Sequence, residues 1–232
     1  EEIQKEMKTI EWDAEAAEKA GYEHFMMKEI HEQPRAVKDT LNSVLKDGKI
    51  DLTDIGLAEE DIRRTSQIYI VACGSAYHVG MVAQYVIEDL VKIPVRVELA
   101  SEFRYRKPIL DPNGLVIIIS QSGETADSLA ALRETKAQGI RTLGIVNVVG
   151  SSIAREADKV FYTLAGPEIS VATTKAYSTQ LMASYILAIQ FAKVKNTITE
   201  EQYENYIAEL QAIPEKIEKI IAVSYTHLRA HE

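Results

Sequence analysis

Leu115-Val116-Ile117-Ile118-Ile119 leads into Ser120-Gln121-Ser122-Gly123-Glu124-Thr125, and that into Ala126-Asp127-Ser128-Leu129-Ala130-Ala131-Leu132. The first five residues are apolar and mostly β-branched, the composition of a strand buried on both faces. The last seven have the propensity and apolar spacing of a helix. Between them the loop carries the hydroxyls of Ser120, Ser122 and Thr125, the carboxamide of Gln121 and one glycine. A strand-to-helix turn aims free backbone N–H groups and the positive end of the helix dipole at one spot. Gly123 lets the backbone approach a ligand closely. An N-cap needs only one such side chain. The crowding of Ser120, Gln121, Ser122 and Thr125 therefore predicts a phosphate cradle built without Lys or Arg.

On both sides of this loop, from Gln67 onward, strands alternate with helices. Strands are expected at Ile68–Ala72, Val95–Leu99, Leu115–Ile119, Thr142–Val146 and Lys159–Thr163. Helices are expected at Ala76–Leu90, Thr125–Gln138, Ser152–Ala157 and Thr173–Lys193. Alternation of nearly continuous apolar strands with helices predicts an α/β three-layer sandwich around a five-stranded parallel sheet. Ligands of such sheets bind beyond the carboxyl ends of the strands, where the strand order reverses.

Residues 1–66 read as a helical arm: Asp13 to Lys19, then Phe25 to His31, then a new helix opened by Pro34, running to Leu45 and closed by Asp47-Gly48. Residues 67–199 are expected to form one α/β domain that carries the cradle, and 200–222 one more amphipathic helix. Residues 223–232 break that helical pattern. They resemble an in-frame translation of a sequencing-library adaptor and are expected to lie outside the fold. On this view the natural protein starts before Glu1 and continues past Ala222.

The formal net charge of -9 argues against nucleic acid as a partner. No stretch is long and apolar enough to span a bilayer. Cys73 is the single cysteine, so no intrachain disulfide is possible and an oxidising compartment is not indicated. The cytoplasm is the expected location. No metal or organic cofactor is expected, because His, Cys, Asp and Glu do not cluster at ligand spacing.

Cys73-Gly74-Ser75-Ala76-Tyr77-His78-Val79-Gly80 follows another strand and opens another helix. As a dinucleotide fingerprint it fails, even with Glu98 as the ribose-binding acid. Ala76 replaces the second glycine and Gly80 falls one residue late. The alternatives are a sugar held by the Ser75 hydroxyl and the N–H groups of Gly74, Ser75 and Ala76, or a tight turn made by Gly74 alone. Cys73 is expected to be a small buried residue and His78 a surface or packing residue. Further on, Ala165-Gly166-Pro167-Glu168-Ile169-Ser170-Val171-Ala172-Thr173-Thr174-Lys175 enters the long helix, with Thr173 or Thr174 as N-cap. Lys175 either reaches a ligand or faces solvent. Glu124 and Glu168 are candidate acids, more simply read as structural.

Ser120-Gln121-Ser122-Gly123-Glu124-Thr125-Ala126-Asp127 resembles the phosphosugar loop of the sugar isomerase (SIS) family. Three further segments resemble that family's glutamine–fructose-6-phosphate aminotransferase branch. They are Ala72-Cys73-Gly74-Ser75, Glu98 to Arg106, and Glu168 to Ala176; Phe25 to Pro34 resembles its interdomain segment. The resemblance implies a flavodoxin-like domain in which Ser120, Gln121, Ser122 and Thr125 hold the phosphate of a hexose phosphate. Ser75 and the backbone at Val171 would meet the sugar, beside the N–H groups of Gly74 and Ala76 named above. It also implies a homodimer through the isomerase region. The parent enzyme would make glucosamine 6-phosphate from fructose 6-phosphate and glutamine, with its glutaminase nucleophile and its isomerase acid and base outside this chain. No catalytic residue is assigned within it. A sugar-phosphate sensor of a regulator and a stand-alone phosphosugar isomerase are the alternatives.

Overall fold

The computed structural model describes residues 18–228. The Ala- and Glu-rich stretch from Asp13 lies outside them up to residue 17. In chain order the elements are α1 (Phe25–Asn42), β1 (Leu45–Lys46), β2 (Lys49–Ile50), α2 (Glu59–Arg64) and β3 (Ile68–Ala72). They continue with α3 (Ser75–Val91), β4 (Val95–Leu99), α4 (Ala100–Arg106), β5 (Leu115–Ser120) and α5 (Ala126–Ala137). The last are β6 (Arg141–Val146), α6 (Ser152–Glu156), β7 (Lys159–Tyr162), α7 (Lys175–Val194) and α8 (Glu200–Leu228).

Five parallel strands stand in the order β4-β3-β5-β6-β7. The order reverses between β3 and β5, so the loops after Ala72 and Ser120 open side by side. Strand alternation divides the core. Ile68, Ile70, Leu115, Ile117 and Ile119 face a cluster shared with α1, α3, α7 and α8. Tyr69, Val71, Val116 and Ile118 face a smaller cluster with Phe103, Ala131, Leu132 and Ile153. Helices on both faces satisfy strands that are apolar on both sides, and the expected three-layer sandwich is observed. Gly80 has a packing role in it. A Cβ there would meet Ile70 and Val97 side chains at 2.9 Å, so its absence lets α3 lie close on the sheet.

The arm differs from expectation. Pro34 does not open a helix; it lies within the continuous α1. A proline there leaves the carbonyl of Ile30 without its helical donor. The Gln33 carboxamide donates to that carbonyl at 3.1 Å and replaces the missing bond. Asp47-Gly48 does not end a helix either. With φ of 51° and 73°, these residues form the two-residue turn of the β1–β2 hairpin. Arm residues Val37, Leu41, Val44 and Ile50 join the main core rather than forming one of their own. The segment around Glu98-Leu99-Ala100-Ser101-Glu102-Phe103-Arg104-Tyr105-Arg106 holds the helix α4, which is not among the expected elements. Glu98 pairs with Arg106 there, and so is not free for a ribose. At the other end, α8 runs on to Leu228 instead of stopping near residue 222. Residues 223–228 contain no Gly or Pro, and an established helix propagates cheaply through such a stretch.

Candidate functional site

A cavity of about 420 Å³ opens at the switch point. Three segments line it: Cys73, Ser75 and Ala76 after β3; Ile119, Ser120, Gln121, Ser122 and Thr125 after β5; and the loop from Glu168 to Thr173, with Gln180 of α7 beneath. Seven of the eight expected residues, Ser75, Ala76, Ser120, Gln121, Ser122, Thr125 and Val171, therefore share one wall-to-wall space. Gly74 is not among the lining residues. Its φ of 57° and ψ of -134° turn the chain from β3 into α3, a conformation open to glycine.

The loop after β5 is braced from inside. The Ser120 and Thr125 hydroxyl oxygens are 2.9 Å apart, and the Gly123 N–H donates to Ser120 Oγ at 3.1 Å. Ser122 Oγ accepts the Glu124 N–H at 3.2 Å. Thr125 occupies the N-cap position of α5 without a side-chain bond to that helix, so the N–H groups of the first turn stay available to an anion. Gly123 has φ of 66°, and a Cβ on it would fall 2.0 Å from Ser151 Oγ. Glu124 points out of the cradle: its Oε1 accepts the Ser152 N–H at 2.7 Å. The Ser152 hydroxyl and N–H hold its carboxyl below the usual carboxylate range. That bonding fits a structural carboxylate. No Lys or Arg lines the cavity among the described residues.

The third wall departs further from the sequence reading. Neither Thr173 nor Thr174 caps α7 through its side chain. Glu168 does so instead, its carboxylate accepting the Thr174 N–H at 2.9 Å, the Ala176 N–H at 3.1 Å and the Thr173 hydroxyl at 2.9 Å. A carboxylate at a helix N-terminus is favoured by the dipole, and it accepts several N–H groups where a hydroxyl accepts one. Lys175 neither faces solvent nor lines this cavity. Its ammonium is buried and pairs with Glu32 of α1 at 2.7 Å. Cys73 is half-buried at the cavity wall, not enclosed in the core. His78 is exposed on α3.

Glu29 had no signal in the sequence. It sits on the buried face of α1, and one oxygen accepts the Ile169 N–H at 2.6 Å and the Ser170 N–H at 3.2 Å. Only a contact 140 residues away in the chain reveals it. Among the described residues no group of three or more His, Cys, Asp or Glu could hold a metal ion, and no helix is long and apolar enough to cross a membrane.

Comparison with known proteins identifies the family. Residues 61–190 match the model of the SIS domain. The chain is 57% identical over 223 residues to a protein of Clostridium acetobutylicum named glutamine–fructose-6-phosphate aminotransferase [isomerizing]. That match covers 96% of the chain and 37% of the relative. A protein of the same name from Mycolicibacterium paratuberculosis is 49% identical, over 92% of the chain and 34% of its own length. The chain thus spans little more than a third of the length of these relatives. The C-terminal domain of glucosamine-fructose-6-phosphate aminotransferase from Francisella tularensis superposes with a TM-score of 0.87 and 45% identity, over 90% of this chain and 58% of that one. The fold, the switch-point cavity and the matched residues together place the chain in the SIS domain family.

Proposed function

We propose that this chain is the phosphosugar-binding half of the isomerase region of an amidotransferase, one that makes glucosamine 6-phosphate from fructose 6-phosphate and glutamine. The observation that carries this is the hydroxyl-lined cavity at the N-terminus of α5, where Ser120, Gln121, Ser122 and Thr125 stand beside Ser75. Hydroxyls, free N–H groups and a helix dipole suit a phosphate dianion. The Val171 backbone and the start of α3 would meet the sugar. The relatives' shared name supports the activity of the whole enzyme.

In this reading residues 1–66 form the arm, 67–199 the SIS domain, and 200–222 the helix leading to a second such domain. The enzyme is a cytoplasmic homodimer through its isomerase region. The chain alone binds hexose phosphate without turning it over, because among the described residues the one carboxylate lining the cavity, Glu168, is taken up in capping α7. Isothermal titration with fructose 6-phosphate, fructose and inorganic phosphate tests this. Binding of fructose 6-phosphate and phosphate, with fructose alone undetected, is expected. Equal binding of fructose and fructose 6-phosphate would remove the phosphate cradle from the account.

A further inference from the structure

We infer that Glu29, on the arm helix α1, is a positioning residue that shapes the sugar side of the cavity by holding the backbone of the 168–173 loop. This rests on the function proposed above and assigns a role to a residue that does not touch the ligand. Glu29 is only 2% exposed. One carboxylate oxygen receives two successive N–H groups, from Ile169 and Ser170. The other is buried with no hydrogen-bond partner among the described residues.

A buried carboxylate with one oxygen unpaired is a poor device for stability, since an apolar side chain would fill the same space at less cost. Its bonded oxygen has a specific geometric consequence. Glu168 closes the far end of the loop onto α7 through Thr173, Thr174 and Ala176. Glu29 anchors the near end, immediately before Val171. Val171 and Ala172 are exposed between the two anchors and line the cavity. Two carboxylates thus suspend the segment that presents its backbone to the sugar. The arm reinforces this attachment through Glu32 to Lys175, and through Gln33, which accepts the Ser178 hydroxyl at 2.6 Å. The Ser120–Thr125 cradle has no bond to Glu29, so the phosphate end is independent of it.

The test is isothermal titration of the whole chain with fructose 6-phosphate and, separately, inorganic phosphate. The variants are Glu29→Ala, Glu29→Gln and Glu29→Asp. Loss of the two hydrogen bonds in Glu29→Ala should weaken fructose 6-phosphate about tenfold and leave inorganic phosphate unchanged. Glu29→Gln should recover the sugar-phosphate affinity, because its amide oxygen accepts the same N–H groups. If Glu29→Ala does not fold, Glu29→Asp decides. Its shorter side chain withdraws the acceptor, and a selective loss of about threefold is expected. Unchanged fructose 6-phosphate affinity in a folded Glu29→Ala or Glu29→Asp, or equal loss for both ligands, overturns the inference alone. A wild-type chain that binds neither ligand overturns the proposed function with it.

Discussion

Ser120 Oγ and Thr125 Oγ1 lie 2.9 Å apart, and this contact closes the loop between β5 and α5 into a ring. Ser120 is the last residue of its strand and is nearly buried, whereas Thr125 is the first residue before the helix. One hydroxyl pair therefore sets the spacing between a strand end and a helix start, and the Gly123 N–H on Ser120 Oγ fixes the turn between them.

This relationship separates two substitutions that look alike in sequence. Ser122→Ala removes a hydroxyl from the cavity wall and should lower hexose-phosphate affinity about tenfold while barely changing stability, because the Glu124 N–H it releases is exposed to water. Ser120→Ala breaks the ring and leaves the Gly123 N–H without its acceptor. It should lose affinity and also about 1–3 kcal/mol of stability. Titration paired with urea unfolding of the two variants checks the contrast; equal stability of both would dismiss the bracing role of Ser120.

Gly123→Ala should be the most damaging single change in the loop. Its φ of 66° is costly for any side chain, and a Cβ would overlap Ser151. Together these effects should cost about 2–4 kcal/mol. Denaturant titration measures it, and a cost under about 1 kcal/mol would show that Ser151 moves freely aside.

The buried pair of Lys175 and Glu32 should respond asymmetrically. Lys175→Met leaves Glu32 partly solvated and still 3.5 Å from Lys28, so a loss of at most about 1 kcal/mol is expected. Glu32→Ala leaves the Lys175 ammonium buried without its acceptor and should cost about 2–4 kcal/mol. Thermal unfolding of the two variants decides, and the reverse order would show that Lys175, not Glu32, carries the contact.

Binding should depend on the charge of the ligand. With hydroxyls and N–H groups as donors and no cation at the wall, the phosphate dianion is favoured over the monoanion. The second phosphate pKa is about 6. Affinity for fructose 6-phosphate should therefore fall between pH 7.5 and 5.5. A flat profile over that range would count against the dipole account.

Stability should also fall in acid. Burial alone would raise the Asp158 carboxyl, but Lys136 and Thr142 outweigh it and hold the group below its ordinary value. Thr142 donates to it from both its N–H and its hydroxyl, each at 2.9 Å. Glu124 is held low by Ser152. A depressed folded pKa adds stability that is complete above the unfolded value, near 4, and is lost as the pH falls through the folded value. Asp158→Asn should flatten the stability curve below about pH 4. An unchanged acid limb would exclude Asp158 as a source.

The layered α/β fold, and the gathering of Ser120, Gln121, Ser122 and Thr125 on one cavity wall, were legible in the residues themselves. Both rest on local patterns: apolar β-branched runs make buried strands, and a strand-to-helix turn keeps its crowded hydroxyls together wherever that turn lies. Even the resemblance to the family is carried by contiguous segments such as Ser120 to Asp127. The third wall was another matter. Lys175 turned inward to Glu32, and Glu29 beneath Ile169 and Ser170, depend on α1 packing against α7 across more than a hundred residues, whereas Glu168 caps α7 from only eight residues away, in place of the expected Thr173 or Thr174. Nothing local distinguishes Glu29 from an exposed helical glutamate. Its meaning comes only from which backbone amides the tertiary packing leaves without partners. Pro34 is a local case: Gln33 donates to the Ile30 carbonyl that the proline leaves free, three residues away in the same helix, and the helix continues. Local chemistry determined what kind of site this chain could build; long-range packing decided which side chains hold it in shape.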